Sequence, residues 1–62
     1  MKFWKVTTRF FDSGKVDVKV EQEEAGSMPK NSSSETKKYD EYIDYFKTKK
    51  EANQWAEDAR NA

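Results

Sequence analysis

Three groups of side chains in this chain have the types and spacing to do chemistry. Ser32, Ser33 and Ser34 put three hydroxyls in a row, but a serine nucleophile needs a positioned base, and the chain has no histidine and no cysteine. Asp40, Glu41 and Asp44 form an acidic cluster. Such a cluster can bind a hard cation or act as an acid–base pair. Without a glycine-turn loop around it, it is more often a solvated face. Lacking cysteine, the chain also has no disulfide, no thiolate zinc site and no thiol nucleophile. The expectation is a protein without catalytic residues, metal or cofactor.

The third group is Lys47, Thr48, Lys49 and Lys50. Thr48 followed by Glu51 is a capping box, so a helix should start at Lys49. Lysines at a helix start and Glu57 and Asp58 near its end oppose the helix dipole. An anion held by free N–H groups, the Thr48 hydroxyl and the lysines would explain the placement. The simpler explanation carries more weight: Lys47 pairs with Glu51 and the other lysines are solvated.

These groups must be positioned by few elements, because 62 residues make one small domain. The segment Arg9-Phe10-Phe11-Asp12-Ser13-Gly14-Lys15-Val16 pins a β-hairpin. Asp12-Ser13 suits a type I turn and Gly14 the left-handed residue of the bulge after it. Phe11 then pairs with Lys15, Phe10 faces Val16, Thr8 faces Val18 and Val6 faces Val20. On the other face Arg9 meets Asp17, Thr7 meets Lys19 and Lys5 meets Glu21. A slip of one residue would scramble both faces, so the register is well specified.

The strands of this hairpin should span residues 2–11 and 15–21. Residues 22–38 are polar, contain Gly26 and Pro29, and read as one long loop. Asn31-Ser32-Ser33 matches a glycosylation acceptor, which means nothing without a secretory signal. Residues 39–46 fit either a strand or a helix, since Tyr39, Tyr42, Ile43 and Phe46 also have helical spacing. Aromatic density favours a strand, and the capping box just downstream agrees. The last element is a helix over residues 49–60, with Ala52, Trp55, Ala56 and Ala59 on one stripe.

The fold class implied is α+β: a three-stranded antiparallel sheet with one C-terminal helix across its Trp4/Val6/Phe10 face. The apolar inventory contains no leucine, one isoleucine, four valines and nine aromatic residues. The core should therefore be Trp4, Val6, Phe10, Val16, Val18, Val20 and aromatics from the second half, with Trp55 as the helix anchor. On that scheme Trp55→Ala would cost about 3–5 kcal/mol.

Formal charge is zero. Residues 1–20 carry five bases against two acids, and residues 21–46 seven acids against three bases. Balance argues against general nucleic-acid binding, where phosphate contacts dominate affinity. Residues 1–6 do not read as a signal peptide and no stretch approaches the length of a membrane span. A soluble cytoplasmic protein is the expectation.

The outer sheet face, with Phe3, Lys5, Thr7, Arg9 and Phe11, loosely resembles a nucleic-acid stacking platform. Asp17 and Glu21 neutralise two of its bases, so a protein contact or homodimer fits better. Tyr42 and Phe46 would extend this patch if they faced outward. The acidic-aromatic run 39–45 suits a basic partner surface, or else an edge strand protected by charge.

The chain as a whole looks like the short accessory proteins of bacteriophages and mobile elements, anti-CRISPR proteins and other host-enzyme inhibitors among them. The likeness is one of size, absent cysteine, charge density and aromatic content, and it rests on no motif. It implies a non-enzymatic binder that blocks a larger protein or ribonucleoprotein by occupying its surface. The contacts expected are Phe3, Arg9 and Phe11, with Asp40, Tyr42 and Asp44 beside them. A second reading is a nucleic-acid-binding module using Lys5, Arg9, Lys19, Lys47, Lys49 and Lys50. A third is a self-associating structural protein.

Overall fold

Gly14 sets the first turn with a φ of 92°, a conformation that costs glycine nothing and other residues strain. Its N–H donates to the Phe11 carbonyl at 2.9 Å, and the Phe11 N–H donates to the Lys15 carbonyl at 2.9 Å. The hairpin that follows, in a computed structural model describing residues 1–61, joins β1 (Lys2–Phe11) to β2 (Val16–Glu24). Its register is the expected one at every position from Lys5↔Glu21 to Phe10↔Val16.

The chain continues through β3 (Ser32–Glu35), β4 (Tyr39–Phe46) and α1 (Lys49–Arg60). The class is α+β, with one C-terminal helix on an antiparallel sheet. The sheet has four strands, in the order β2-β1-β4-β3, where three were expected. The expected loop 22–38 contains the last turn-free residues of β2 and the whole of β3. β3 is Ser-Ser-Ser-Glu and fully exposed, so it carries no apolar alternation to announce it. It exists because β4 offers it a partner edge. Thr36 closes that hairpin: its hydroxyl accepts from the N–H groups of Lys38 (3.2 Å) and Tyr39 (3.1 Å) and donates to the Tyr39 carbonyl (3.0 Å). Asn31 extends the ladder with a side chain, its Oδ1 accepting the Tyr45 N–H at 2.8 Å.

β1 lies between β2 and β4, so alternation along it divides the whole sheet into two faces. Trp4, Val6, Thr8 and Phe10 point to one face, as do Val16, Val18, Val20 and, from β4, Asp40, Tyr42, Asp44 and Phe46. The helix sits on this face. Ala52 and Ala56 are fully buried against Val6, with Trp4, Val18, Val20 and Phe46 packed around them. Alanine has no side chain beyond Cβ, so the helix backbone approaches the sheet closely.

That close seating overturns the expected role of Trp55. With Ala52 and Ala56 aimed at the sheet, position 55 points about 100° away from position 56 around the helix. Trp55 therefore lies on the helix flank, 46 % exposed, against Phe46 at 5.8 Å between ring centroids. The deeply buried aromatic is Phe3, only 1 % exposed, on the opposite face of the sheet. Tyr45 meets it edge-on at 5.5 Å. The connection from β2 to β3 crosses this end, tied by the Ala25 N–H to the Met1 carbonyl (3.0 Å) and by Asn31 to Tyr45. Met28 within it is half-buried. A face expected to be open is thus covered at one end by the chain itself.

The burial pattern orders two substitutions. Phe3→Ala should cost about 3–5 kcal/mol, and Trp55→Ala about 1–2 kcal/mol, since half its ring already meets water. Urea unfolding of both variants measures the order; an equal or larger loss from Trp55→Ala would contradict the packing described.

Candidate functional site

The six expected contact residues do not form one surface. Phe3, Arg9 and Phe11 lie on the outer face, whereas the register of β4 puts Asp40, Tyr42 and Asp44 opposite Phe10, Thr8 and Val6 on the helix side. Phe46 also faces the helix side rather than outward. Phe3 is buried, and Phe11 rests on Tyr39 at 5.2 Å. Arg9 donates from Nε to Glu41 Oε2 at 2.6 Å and lies 5.1 Å from the centre of the Tyr39 ring. The Glu41 hydrogen bond, with Tyr39 beside it, raises the guanidinium above its already high value. The outer patch is therefore occupied with its own contacts.

Charge on that face is satisfied in a way the hairpin alone could not disclose. Arg9 and Asp17 are in register, as are Lys5 and Glu21, but the ion pairs form elsewhere. Arg9 turns to Glu41 on β4, Lys5 to Glu23 at 3.5 Å, Lys15 to Asp17 at 3.9 Å and Lys19 to Glu21 at 3.5 Å. A hairpin-only reading omits β4 and the extension of β2, which supply Glu41 and Glu23.

At the helix start, Thr48 accepts the Glu51 N–H at 3.2 Å and donates its hydroxyl to Glu51 Oε1 at 2.9 Å. Glu51 thus already brings negative charge to the helix N-terminus. Lys49 Nζ lies 5.6 Å from the centre of the Trp4 ring, a cation–π contact that accounts for this lysine without an anion. Among the described residues no ion pair joins Lys47 to Glu51, so the expected i,i+4 pair does not form. Lys47 and Lys50 are exposed. The six bases of the nucleic-acid reading fall in two separate places: Lys5, Arg9 and Lys19 on the outer face, the other three at the helix start. The acidic cluster is also divided, with Asp40 and Asp44 on one face and Glu41 on the other. Among the described residues no group of three acids could hold a metal ion.

The outer face keeps a polar trough of about 560 Å³ among Lys5, Arg9, Asp17, Lys19, Glu21 and Glu41, and the fold leaves a smaller, more apolar one open on the helix side. The helix lies over β1 and β2 and reaches β4 less, so a trough of about 370 Å³ remains between α1 and β4. Thr8 and Phe10 are in its base, Tyr42 and Asp44 on the strand side, Trp55, Asp58 and Ala59 on the helix side. Phe10 and Tyr42 meet edge-on at 5.8 Å. Tyr42 is 43 % exposed, so it and Trp55 both present faces to solvent. Thr8 is 2 % exposed and its hydroxyl has no hydrogen-bond partner in the protein. A buried hydroxyl without a partner is costly.

Asp44 is the electrostatic feature of the trough. Burial pushes its carboxyl up from the ordinary aspartate value, and the Trp55 indole beside it brings it part of the way back. Asp58, on the rim, accepts from Gln54 Nε2 at 3.1 Å. Aromatic walls and two carboxylates suit a cation on an apolar stem: an arginine or lysine side chain. Asp44 and Tyr42 are among the contact residues the sequence suggests; Thr8, Trp55 and Asp58 are not. Thr8 had a signal, being the polar residue at a core position of β1.

The raised Asp44 value has a testable sign. The folded protein binds this proton more tightly than the unfolded chain. Asp44's contribution to stability is therefore present at low pH and lost as pH rises through the folded value. An NMR titration of the Asp44 carboxyl should give a midpoint above about 3.9, and Trp55→Phe should raise it further by removing the indole donor. A downward shift in that variant would contradict the geometry.

No protein-family model, curated protein or solved structure matches the chain, so what the trough receives must be argued from its own chemistry.

Proposed function

We propose that this chain is a non-enzymatic protein-interaction module that docks on a larger protein by accepting one of its basic side chains into the trough between α1 and β4. The observation that supports this reading most is the meeting of two half-exposed rings, Tyr42 and Trp55, with Asp44 and Asp58. Exposed tryptophan and tyrosine around a partly desolvated pocket have the composition of an interface hot spot. The trough also has the wrong sign for phosphate, which disfavours a nucleic-acid partner at this place. A stoichiometric blocker of a larger protein, the role that the phage-type likeness implies, would use such a pocket as its anchor.

The test uses a short arginine peptide, acetyl-Gly-Arg-Gly-amide, and its alanine counterpart, added to isotope-labelled protein. Amide shifts should move at Thr8 and Tyr42, and the Trp55 indole signal with them, for the arginine peptide only. A single side chain should bind weakly, with a Kd on the order of 1 mM. Asp44→Asn/Asp58→Asn should weaken it about tenfold or more, through loss of both charges. Shifts centred on Arg9 and Glu41, or equal responses to both peptides, would defeat the reading.

A further inference from the structure

β2 is an edge strand: among the described residues it pairs with β1 alone, and its nine residues leave a long unpaired edge. Such an edge is a template for another strand. β3, the other edge, is a four-residue run without apolar alternation and offers much less.

The backbone of β2 fixes which groups face outward. The Phe11 N–H bonds to the Lys15 carbonyl, and in an antiparallel ladder every second pair is hydrogen-bonded. Asp17, Lys19 and Glu21 therefore direct their backbone groups to β1, and Val16, Val18 and Val20 direct theirs to the free edge.

We infer that this edge pairs antiparallel with the same edge of a second copy, about a two-fold axis through Val18. Val18 then faces Val18 of the other copy, and Val16 faces Val20. Asp17 faces Lys19, and Lys15 faces Glu21. By symmetry four cross-strand pairs of opposite charge form, and the valines share the helix-side face. Neighbouring registers fail. Centred on Lys19, the pairing opposes Lys19 to itself and Asp17 to Glu21. Centred on Asp17, it opposes Asp17 to itself and Lys15 to Lys19. Centred on Val20, it sets Asp17 against Glu23 and Val18 against Gln22. The charges concerned are exposed and now paired only along their own strand, Lys15 with Asp17 and Lys19 with Glu21. The second copy gives each of them a cross-strand partner as well.

The helices permit the arrangement. A two-fold axis normal to the sheet puts both on one face. Each lies over β1 and β2, and strands are about 4.8 Å apart, so the helix axes come to roughly 10 Å, an ordinary packing distance. The flank turned toward the other copy is the one opposite Trp55, carrying exposed Asn53 and Arg60. Both troughs stay open on the far flanks, so the dimer does not depend on what they bind.

Sedimentation equilibrium from low micromolar to millimolar concentration should show the mass rising from 7.3 kDa toward twice that value. Lys15→Glu/Lys19→Glu makes the edge wholly acidic and should raise the dissociation constant roughly tenfold or more. Adding the complementary Asp17→Lys/Glu21→Lys chain should restore association as a mixed dimer. Register is read by cysteine, of which the chain has none of its own. Asp17→Cys mixed with Lys19→Cys should oxidise to a cross-linked dimer, since that pair has Cα atoms about 4.5 Å apart, while neither variant alone should do so. A constant mass at all concentrations would overturn the inference. So would self-cross-linking of either cysteine variant alone, or undiminished dimerisation of the acidic-edge chain.

Discussion

The contact on which the rest depends is the seating of Ala52 and Ala56 on Val6. Small residues at both helix positions bring α1 close to the central strand, and all three side chains are withdrawn from water. The helical repeat then dictates what lies on each flank. Trp55 is carried to the β4 side, where it meets Phe46 and reaches Asp44. The polar flank with Asn53 and Arg60 is carried to the β2 side. Larger residues at 52 or 56 would lift the helix, close the trough with their own bulk and separate Trp55 from Asp44.

A domain this small cannot rely on one layer of contacts, because too little of its surface is interior. Here the second face of the sheet contributes its own cluster. Phe3 is buried under the end that Tyr45 and the β2–β3 connection cover, and Phe11, Tyr39 and Arg9 form a further group along β1 and β4. Phe11 and Tyr39 sit across from one another on adjacent strands, where side-chain pairs stabilise a sheet most directly. The aromatic residues thus substitute for the leucines that the chain lacks. The layout also explains why the trough beside β4 has apolar walls: the outer face uses its rings on itself, and the helix covers β1 and β2 more than β4.

The register of the hairpin was legible because its turn chemistry and its charge pattern are both local and agree with each other, while the continuation of β2 through Gln22–Glu24, paired with Lys2–Trp4, was not. The strand at residues 39–46 and the helix from Lys49 were legible for the same reason, through the capping box at Thr48 and Glu51. β3 was not, because nothing in Ser32–Glu35 prefers a strand; pairing with β4 decides it. Likewise the burial of Phe3 depends on a connection whose path no local signal encodes. The candidate site was half legible. Asp44 and Tyr42 stood out by type, yet their face depended on the register between β1 and β4, which are far apart in sequence. Trp55 was misread because a stripe at helical spacing gives no information about which edge of the stripe meets the sheet.

The distribution of ion pairs separates the two faces further. Among the described residues all four pairs lie on the outer face, between odd-numbered positions of β1, β2 and β4. The helix-side carboxylates Asp40, Asp44 and Asp58 take part in none of them. A protein of zero formal charge has bases enough to neutralise every acid, so this imbalance comes from the strand registers and not from composition. Asp44 shows its electrostatic consequence: a partly buried carboxyl, raised by desolvation and lowered in part by the Trp55 indole. Such a group favours any cation that arrives, because the cation relieves a penalty already present in the free protein instead of competing with an existing partner. On the outer face an arriving charge meets side chains that already have ion pairs, so it adds to existing contacts and relieves no such penalty.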